Sequence, residues 1–433
     1  MTCLQLTMSV MLNMLGSSLI LMPTNLAEVG TMSLLAWGVT IIGASAISYV
    51  FAKCGRFNRR GGGLGAYSSY AFGKSGSFLA NYTYGLSLVI ANLTIAISIV
   101  GYLVVLFGLS LTPKELGFSS MAVIILCSLP LVFGARTIGH ICNYANLGIV
   151  LPILFLSVVG WHWFSPELYI REWNPHSMSV FDGISASLSM TLWGFLGIEA
   201  AGANADQVEN PERSVPRAML FSTLGAGTVY ILANNIAFGI IDNETLAHST
   251  APFGLVFAAM FGENVGKIVT GIMAVCCMGC LTSWQFTISE VFRVSSNEGY
   301  FPKIFGRVTS RNVPVIGIAI ILAAQCLAAF LTIDPRLEHQ FAVLKDIAVV
   351  TNLVPYLLVF ASVLVLLQKE AQGSGSPKRV IPAASFASVY CLYALYACGE
   401  SAMFWGALTT FAGYWLYGFA AKSLEKKGRL AEY

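Results

Sequence analysis

Apolar residues run along this chain in long stretches, separated by short clusters rich in Gly, Pro, Asn and charged side chains. Twelve stretches reach helix-spanning length, near residues 4–26, 31–52, 77–108, 119–135, 143–163, 183–204, 217–240, 255–289, 313–333, 344–367, 380–397 and 402–421. A helix needs about 20 such residues to cross the hydrocarbon core of a bilayer. The pattern predicts an all-α membrane protein with 12 transmembrane helices. The connections run to roughly 20–25 residues at most, so residues 1–433 are expected to form one domain.

Composition agrees with the pattern. The chain is 56% hydrophobic and 10% charged, against about 25% charged in soluble domains. Charge then fixes an orientation. With the amino terminus inside and the spans alternating, 19 of the 24 Lys and Arg fall in inside segments and 5 outside, Lys345 among the latter. That asymmetry predicts both termini in the cytoplasm and an even number of spans. The net charge of +3 is therefore topological. No basic stretch is interleaved with aromatics, so no nucleic-acid partner is expected. The first apolar run continues as a spanning helix with no cleavage site. It has no Lys or Arg before it, which suggests a start somewhat upstream.

The ten cysteines lie mostly in spans, where a free thiol behaves as a small apolar residue. Cys276, Cys277 and Cys280 cluster, but without a second ligand pair or a nearby His, so no metal and no cofactor is expected. The glycine-rich RRGGGLGAYSSYAFG resembles a phosphate loop only superficially, lacking the Lys-Ser/Thr that would follow, and is expected to be a turn or re-entrant segment.

Glu199 carries the candidate chemistry. It is the only formal charge between Asp182 and Asp206, inside SASLSMTLWGFLGIEAAGANA. An ionisable group within a span is costly and faces a partner or a water-filled cavity. Gly194, Gly197 and Gly202 surround it, three poor helix formers. Trp193 lies six residues earlier, which in an unbroken helix leaves the two roughly 120° apart. They share a site only if the helix opens at the glycines. The first span holds a comparable interruption, Gly16-Ser17-Ser18 followed by Pro23. Close helix packing by small residues is one reading of it. The other is an unwound segment whose amides face an anionic group. Paired interruptions in corresponding spans point to a transporter's midplane site. Trp284, Tyr82 and Tyr84 are candidates for an aromatic cage around an ammonium.

These residues carry a resemblance. ENPERSVPRA at 209–218, with Glu209, Asn210, Pro211, Arg213 and Pro216, resembles the cytoplasmic signature of the amino acid–polyamine–organocation transporters; EGYFPK at 298–303 resembles their second signature. Within that family FAKCG, AFGKSG, ANYTYG, MTLWGFLGIE, STAPFGL and AVVTNLVPY resemble bacterial putrescine–ornithine antiporters. The resemblance implies the leucine-transporter fold: an inverted repeat of five plus five helices (1–163 and 183–367), helices 1 and 6 interrupted, and two further helices over 380–421. It implies that Gly16, Ser17 and Ser18 receive a substrate carboxylate. Tyr84, Trp193 and Trp284 would line the site, with Asn92 within reach and Glu199 holding an ammonium.

The implied partners are a diamine, a cationic amino acid, a proton on some legs of the cycle, membrane lipid and a second copy in a homodimer. The implied place is the bacterial inner membrane. Putrescine–ornithine exchange is the first expectation, with arginine–agmatine exchange, lysine–cadaverine exchange or a broader permease behind it. A membrane-embedded sensor or enzyme is the distant alternative, disfavoured because no signalling domain and no paired nucleophile and base is evident. Two departures bear on specificity. Gly16-Ser17-Ser18 replaces the family's Gly-Ser-Gly, and Ser69 stands where the putrescine–ornithine exchangers carry an acid.

Overall fold

The computed structural model describes residues 2–57, 63–199, 211–297, 299, 301–331, 333, 336–370 and 380–425. Every regular element among them is helical. In chain order the α-helices are α1 Cys3–Ser18, α2 Met22–Ala27, α3 Leu34–Phe57, α4 Gly63–Phe107, α5 Pro113–Ser128, α6 Ala135–Val159, α7 Pro166–Arg171, α8 Val180–Trp193 and α9 Pro211–Ile240. They continue with α10 Asn243–Ala247, α11 Pro252–Phe261, α12 Glu263–Asn297, α13 Val315–Leu331, α14 Leu337–Glu370, α15 Val380–Ala397 and α16 Gly399–Glu425. Eight helical stretches of the described residues are long and apolar enough to cross a membrane.

Expected spans one, six, nine and twelve are absent from those eight: the first and sixth are interrupted, the ninth is the 17-residue helix α13, and the twelfth, α16, is long but less apolar. The first stops at Ser18, turns through residues 19–21 and resumes at Met22, with Pro23 in the first turn of the new helix. Proline is tolerated there because its missing N–H would lack an intrahelical partner anyway. The sixth is helical to Trp193 and then runs through turns over residues 194–199. Its continuation, with Gly202, lies outside the described residues.

Three boundaries differ from the sequence expectation. Helix α4 begins at Gly63, ahead of the expected 77, and kinks at Gly73, whose φ of 58° is open to glycine. The glycine-rich stretch thus leads into a helix whose serines are satisfied locally: Ser68 Oγ donates to Leu64 O at 2.8 Å and Ser69 Oγ to Ala66 O at 2.7 Å. Expected span eight divides into α11 and α12, because Gly262 adopts φ 92° between them. Lys345, expected in an outer connection, sits buried inside α14.

Helix packing uses small and hydroxylated residues, as hydrocarbon offers helices no hydrophobic drive to associate. Thr40 pairs with Thr191 at 2.6 Å between α3 and α8, and Ser48 with Thr223 at 2.7 Å between α3 and α9. The most extensive interface joins α4 to α14. Lys345 Nζ donates to Ser189 Oγ at 2.8 Å and lies 3.0 Å from Asp346 Oδ1, so its buried ammonium is partnered across α8 and α14. The two interruptions meet at the middle of this arrangement.

Candidate functional site

The break after Trp193 is a tight coil. Phe195 N donates to Leu192 O at 2.8 Å, Leu196 N to Trp193 O at 3.2 Å and Ile198 N to Phe195 O at 3.3 Å, each spanning three residues where an α-helix spans four. Gly197 has φ 113°, a conformation that a Cβ would strain. This turn swings Glu199 around to the side of Trp193. Both now border one cavity of about 30 Å³, with Ser87, Leu88 and Ala91 of α4, Leu196 and Gly197 of the break, Trp284 of α12 and Asn352 of α14. That volume is on the order of what one or two water molecules need. A larger guest requires these helices to part.

Glu199 is buried. Its Oε2 accepts from the Tyr356 hydroxyl at 2.5 Å and from its neighbour Gly197 N at 3.1 Å. The Tyr84 phenol faces the same carboxylate. Glu199 Oε1 accepts no hydrogen bond from any described residue. Charged, the carboxylate of this lining residue keeps one buried oxygen without a donor; that is chemistry suited to receiving an ammonium. Trp193 closes one side, its ring nearly perpendicular to Phe341 with centroids 6.4 Å apart, and Trp284 closes another.

The residues implied by the resemblance divide into two groups. Trp193, Glu199 and Trp284 meet at the cavity, and Tyr84 reaches the same carboxylate. Asn92 does not line it. Its Nδ2 donates to Gln285 Oε1 at 3.3 Å, and Gln285 bonds in turn to Gln325 at 2.8 Å, a buried amide chain linking α4, α12 and α13. Tyr82 also turns away, stacking on Phe78 with centroids 5.9 Å apart.

Gly16 and Ser18 lie off the cavity as well, in the last turn of α1 ahead of the break. A Cβ on Gly16 would come within 2.3 Å of Asn146 Oδ1, so this glycine lets α1 pack against α6 and α12. The close-packing account therefore holds for it. Ser18 Oγ donates to Met14 O and meets the Tyr230 hydroxyl at 2.7 Å. The side chain of Ser17 lies outside the described residues. So do Glu209 and Asn210 of the cytoplasmic signature and the side chain of Pro211; Arg213 is exposed and Pro216 half-buried near the start of α9, outside the cavity lining. Cys276, Cys277 and Cys280 are free thiols, and the described residues hold no grouping suited to a metal ion.

Three residues escaped the sequence argument. Tyr356 supplies the hydroxyl on Glu199, Asn352 lines the cavity one helical turn away, and Tyr230 ties the two breaks together. The Tyr230 hydroxyl lies 2.8 Å from Met14 O and 2.6 Å from Gly194 O. Its ring stacks on Trp37 with centroids 5.2 Å apart and meets Phe195 edge-on at 5.6 Å. Asn352 and Tyr356 lie in the AVVTNLVPY stretch that carries the resemblance, which assigned neither of them a role.

The family model described as amino acid permease matches residues 1–420. The putrescine transporter PotE of Haemophilus influenzae is 49% identical over 423 residues, covering 98% of this chain and 97% of its own. The putrescine transporter PotE of Escherichia coli K12 is 50% identical over 426 residues, with the same coverage. The cadaverine/lysine antiporter of Escherichia coli K12 is 30% identical over 354 residues, covering 79% of this chain and 78% of its own.

Proposed function

This chain belongs to the amino acid permease family as a multi-pass membrane transporter, and on that premise we propose that it exchanges putrescine for ornithine across the bacterial inner membrane. The observation that carries the reading is Glu199: a buried carboxylate with one open oxygen, on a cavity walled by two tryptophans. Aromatic faces attract ammonium groups, by up to ~2 kcal/mol when desolvated. Half-identity to two putrescine transporters over nearly the whole chain supports putrescine ahead of cadaverine. The more distant cadaverine/lysine antiporter makes lysine–cadaverine exchange the second reading.

The mechanism follows from the cost of an unpaired charge. No basic side chain among the described residues pairs with Glu199. An ionised, closed, empty site holds an uncompensated charge in low dielectric, a cost of several kcal/mol. The carrier then reorients readily only when a cation, or a proton on Glu199, fills the site. Cations on both legs give exchange; a proton on one leg gives proton-coupled uptake. The two interrupted helices supply the moving parts, which supports two inverted five-helix repeats over 1–163 and 183–367, followed by two helices over 380–421, twelve spans in all. The Lys and Arg asymmetry supports both termini inside.

Proteoliposomes loaded with ornithine, arginine or lysine test the reading. Labelled putrescine should enter fastest against ornithine, and preference for lysine would hand the assignment to the second reading. In the same vesicles Glu199→Gln should lose putrescine exchange. Wild-type exchange in that variant would remove Glu199 from the site.

A further inference from the structure

Glu199 Oε1 is not the only unpartnered acceptor among the residues that line the cavity. Asn352 is 2% exposed, lines the same space, and its Oδ1 has no hydrogen-bond partner among the described residues. A buried amide oxygen left without a donor carries a desolvation cost and in native structures is normally satisfied by protein, water or a ligand. Two such oxygens, one charged and one neutral, belong to residues that line a space on the order of one or two waters in volume. An ammonium has three N–H donors and no acceptor. It can bridge both.

The placement is set by α14. Asn352 and Tyr356 are four residues apart, so they share a helix face one turn apart. Tyr356 occupies Glu199 Oε2 with its hydroxyl, which leaves Oε1 for the guest. Asn352 then offers a second acceptor beside it. Its neutrality matters. A second carboxylate there would repel Glu199 and favour a proton at one of the two acids. An amide adds an acceptor with no second buried charge to desolvate.

Taking the proposed ammonium site at Glu199 as given, we infer that Asn352 is a second substrate-binding residue, whose side-chain oxygen accepts an N–H of the same ammonium. The pairing makes the site selective for a primary ammonium over a quaternary one, which satisfies the aromatic walls but has no hydrogen to give.

Equilibrium binding of labelled putrescine to purified full-length protein in detergent tests this. Asn352→Leu removes the acceptor at similar size and should weaken putrescine about tenfold or more, as for a hydrogen bond to a charged group. Asn352→Thr keeps a neutral oxygen acceptor in place and should stay within about threefold of wild type, on the same premise that the acceptor is what counts. Unchanged affinity in Asn352→Leu overturns the inference. So does a loss in Asn352→Thr equal to that in the leucine variant, since the kept acceptor would then make no difference. Should Asn352→Leu aggregate, Asn352→Ala takes its place, with the same loss of about tenfold or more expected and unchanged affinity overturning the inference. Glu199→Gln in the same assay separates the two claims. Wild-type affinity there sinks the parent site, whereas weak binding there with unchanged Asn352→Leu sinks only the role of Asn352.

Discussion

The two helix breaks look alike in sequence and differ in what they leave unsatisfied. At the first, the carbonyls of residues 19–21 are all engaged: Leu19 O by Met22 N, Ile20 O by the Tyr102 hydroxyl at 3.0 Å, and Leu21 O by Asn25. Ser18 is bonded to Met14 O and Tyr230. At the second, Glu199 Oε1, Trp193 Nε1 and, across the cavity, Asn352 Oδ1 have no partner among the described residues. Buried polar groups are costly unless paired. At the first break the carbonyls and the Ser18 hydroxyl are therefore engaged within the protein. At the second a carboxylate oxygen and an amide oxygen keep no partner among the described residues, as the proposed guest site would require. Small polar residues around a mid-span interruption do not distinguish these cases. Only the count of satisfied atoms does.

That contrast ranks the expected effects of substitution. Glu199→Gln removes the charge from the open break and should cost about two orders of magnitude in exchange, the scale of losing one partner of a buried charge pair. Next comes Gly197→Ala. Forcing a Cβ onto φ 113° costs roughly 1–3 kcal/mol. Because that turn aims Glu199, putrescine exchange should fall about tenfold, with a lower midpoint of thermal unfolding in detergent. A variant that unfolds earlier yet exchanges normally would show that the turn serves stability alone.

Smaller effects probe the closed break and its tie to the open one. Tyr230→Phe keeps the ring against Trp37 and Phe195 but withdraws the hydroxyl from Met14 O and Gly194 O. Leaving a buried carbonyl short of a donor costs about 1–3 kcal/mol, so thermal stability should drop measurably while substrate affinity changes a few-fold. Ser18→Ala should be the mildest, with exchange rates within about threefold of wild type, because its hydroxyl back-bonds a carbonyl that Tyr230 also reaches and otherwise meets the Tyr230 hydroxyl, which keeps two carbonyl partners. Were Ser18→Ala instead to abolish ornithine counterflow and spare putrescine, the first break would be a carboxylate receptor after all, and the contrast between the breaks would collapse.

Much of the site could be read along the chain, and the parts that could not share one property. Trp193, Gly197 and Glu199 are near in sequence, so one interrupted helix announces them. Trp284 came from the resemblance and proved to lie on the cavity. Asn92 and Tyr82 did not, because neighbouring helix positions point about 100° apart and a motif match does not say which of them faces inward. Asn92 joins an amide chain, and Tyr82 packs on Phe78. Gly16 serves packing for a related reason: what a small residue is for depends on the helix opposite it, here Asn146 and Cys280.

The sequence alone determined that this is a helical membrane protein, that two of its spans break, and that one break carries a buried acid beside aromatic residues. Those are local properties, set by runs of apolar side chains, by glycine and by the cost of charge in hydrocarbon. Tertiary structure decided which side-chain atoms at each break find a partner. Tyr356 reaches Glu199 across 157 residues of chain, and Tyr230 reaches Met14 across 216. Whether a polar atom is satisfied depends on such distant partners, because a hydrogen bond is set by a separation of about 3 Å in space, which spacing along the chain does not encode.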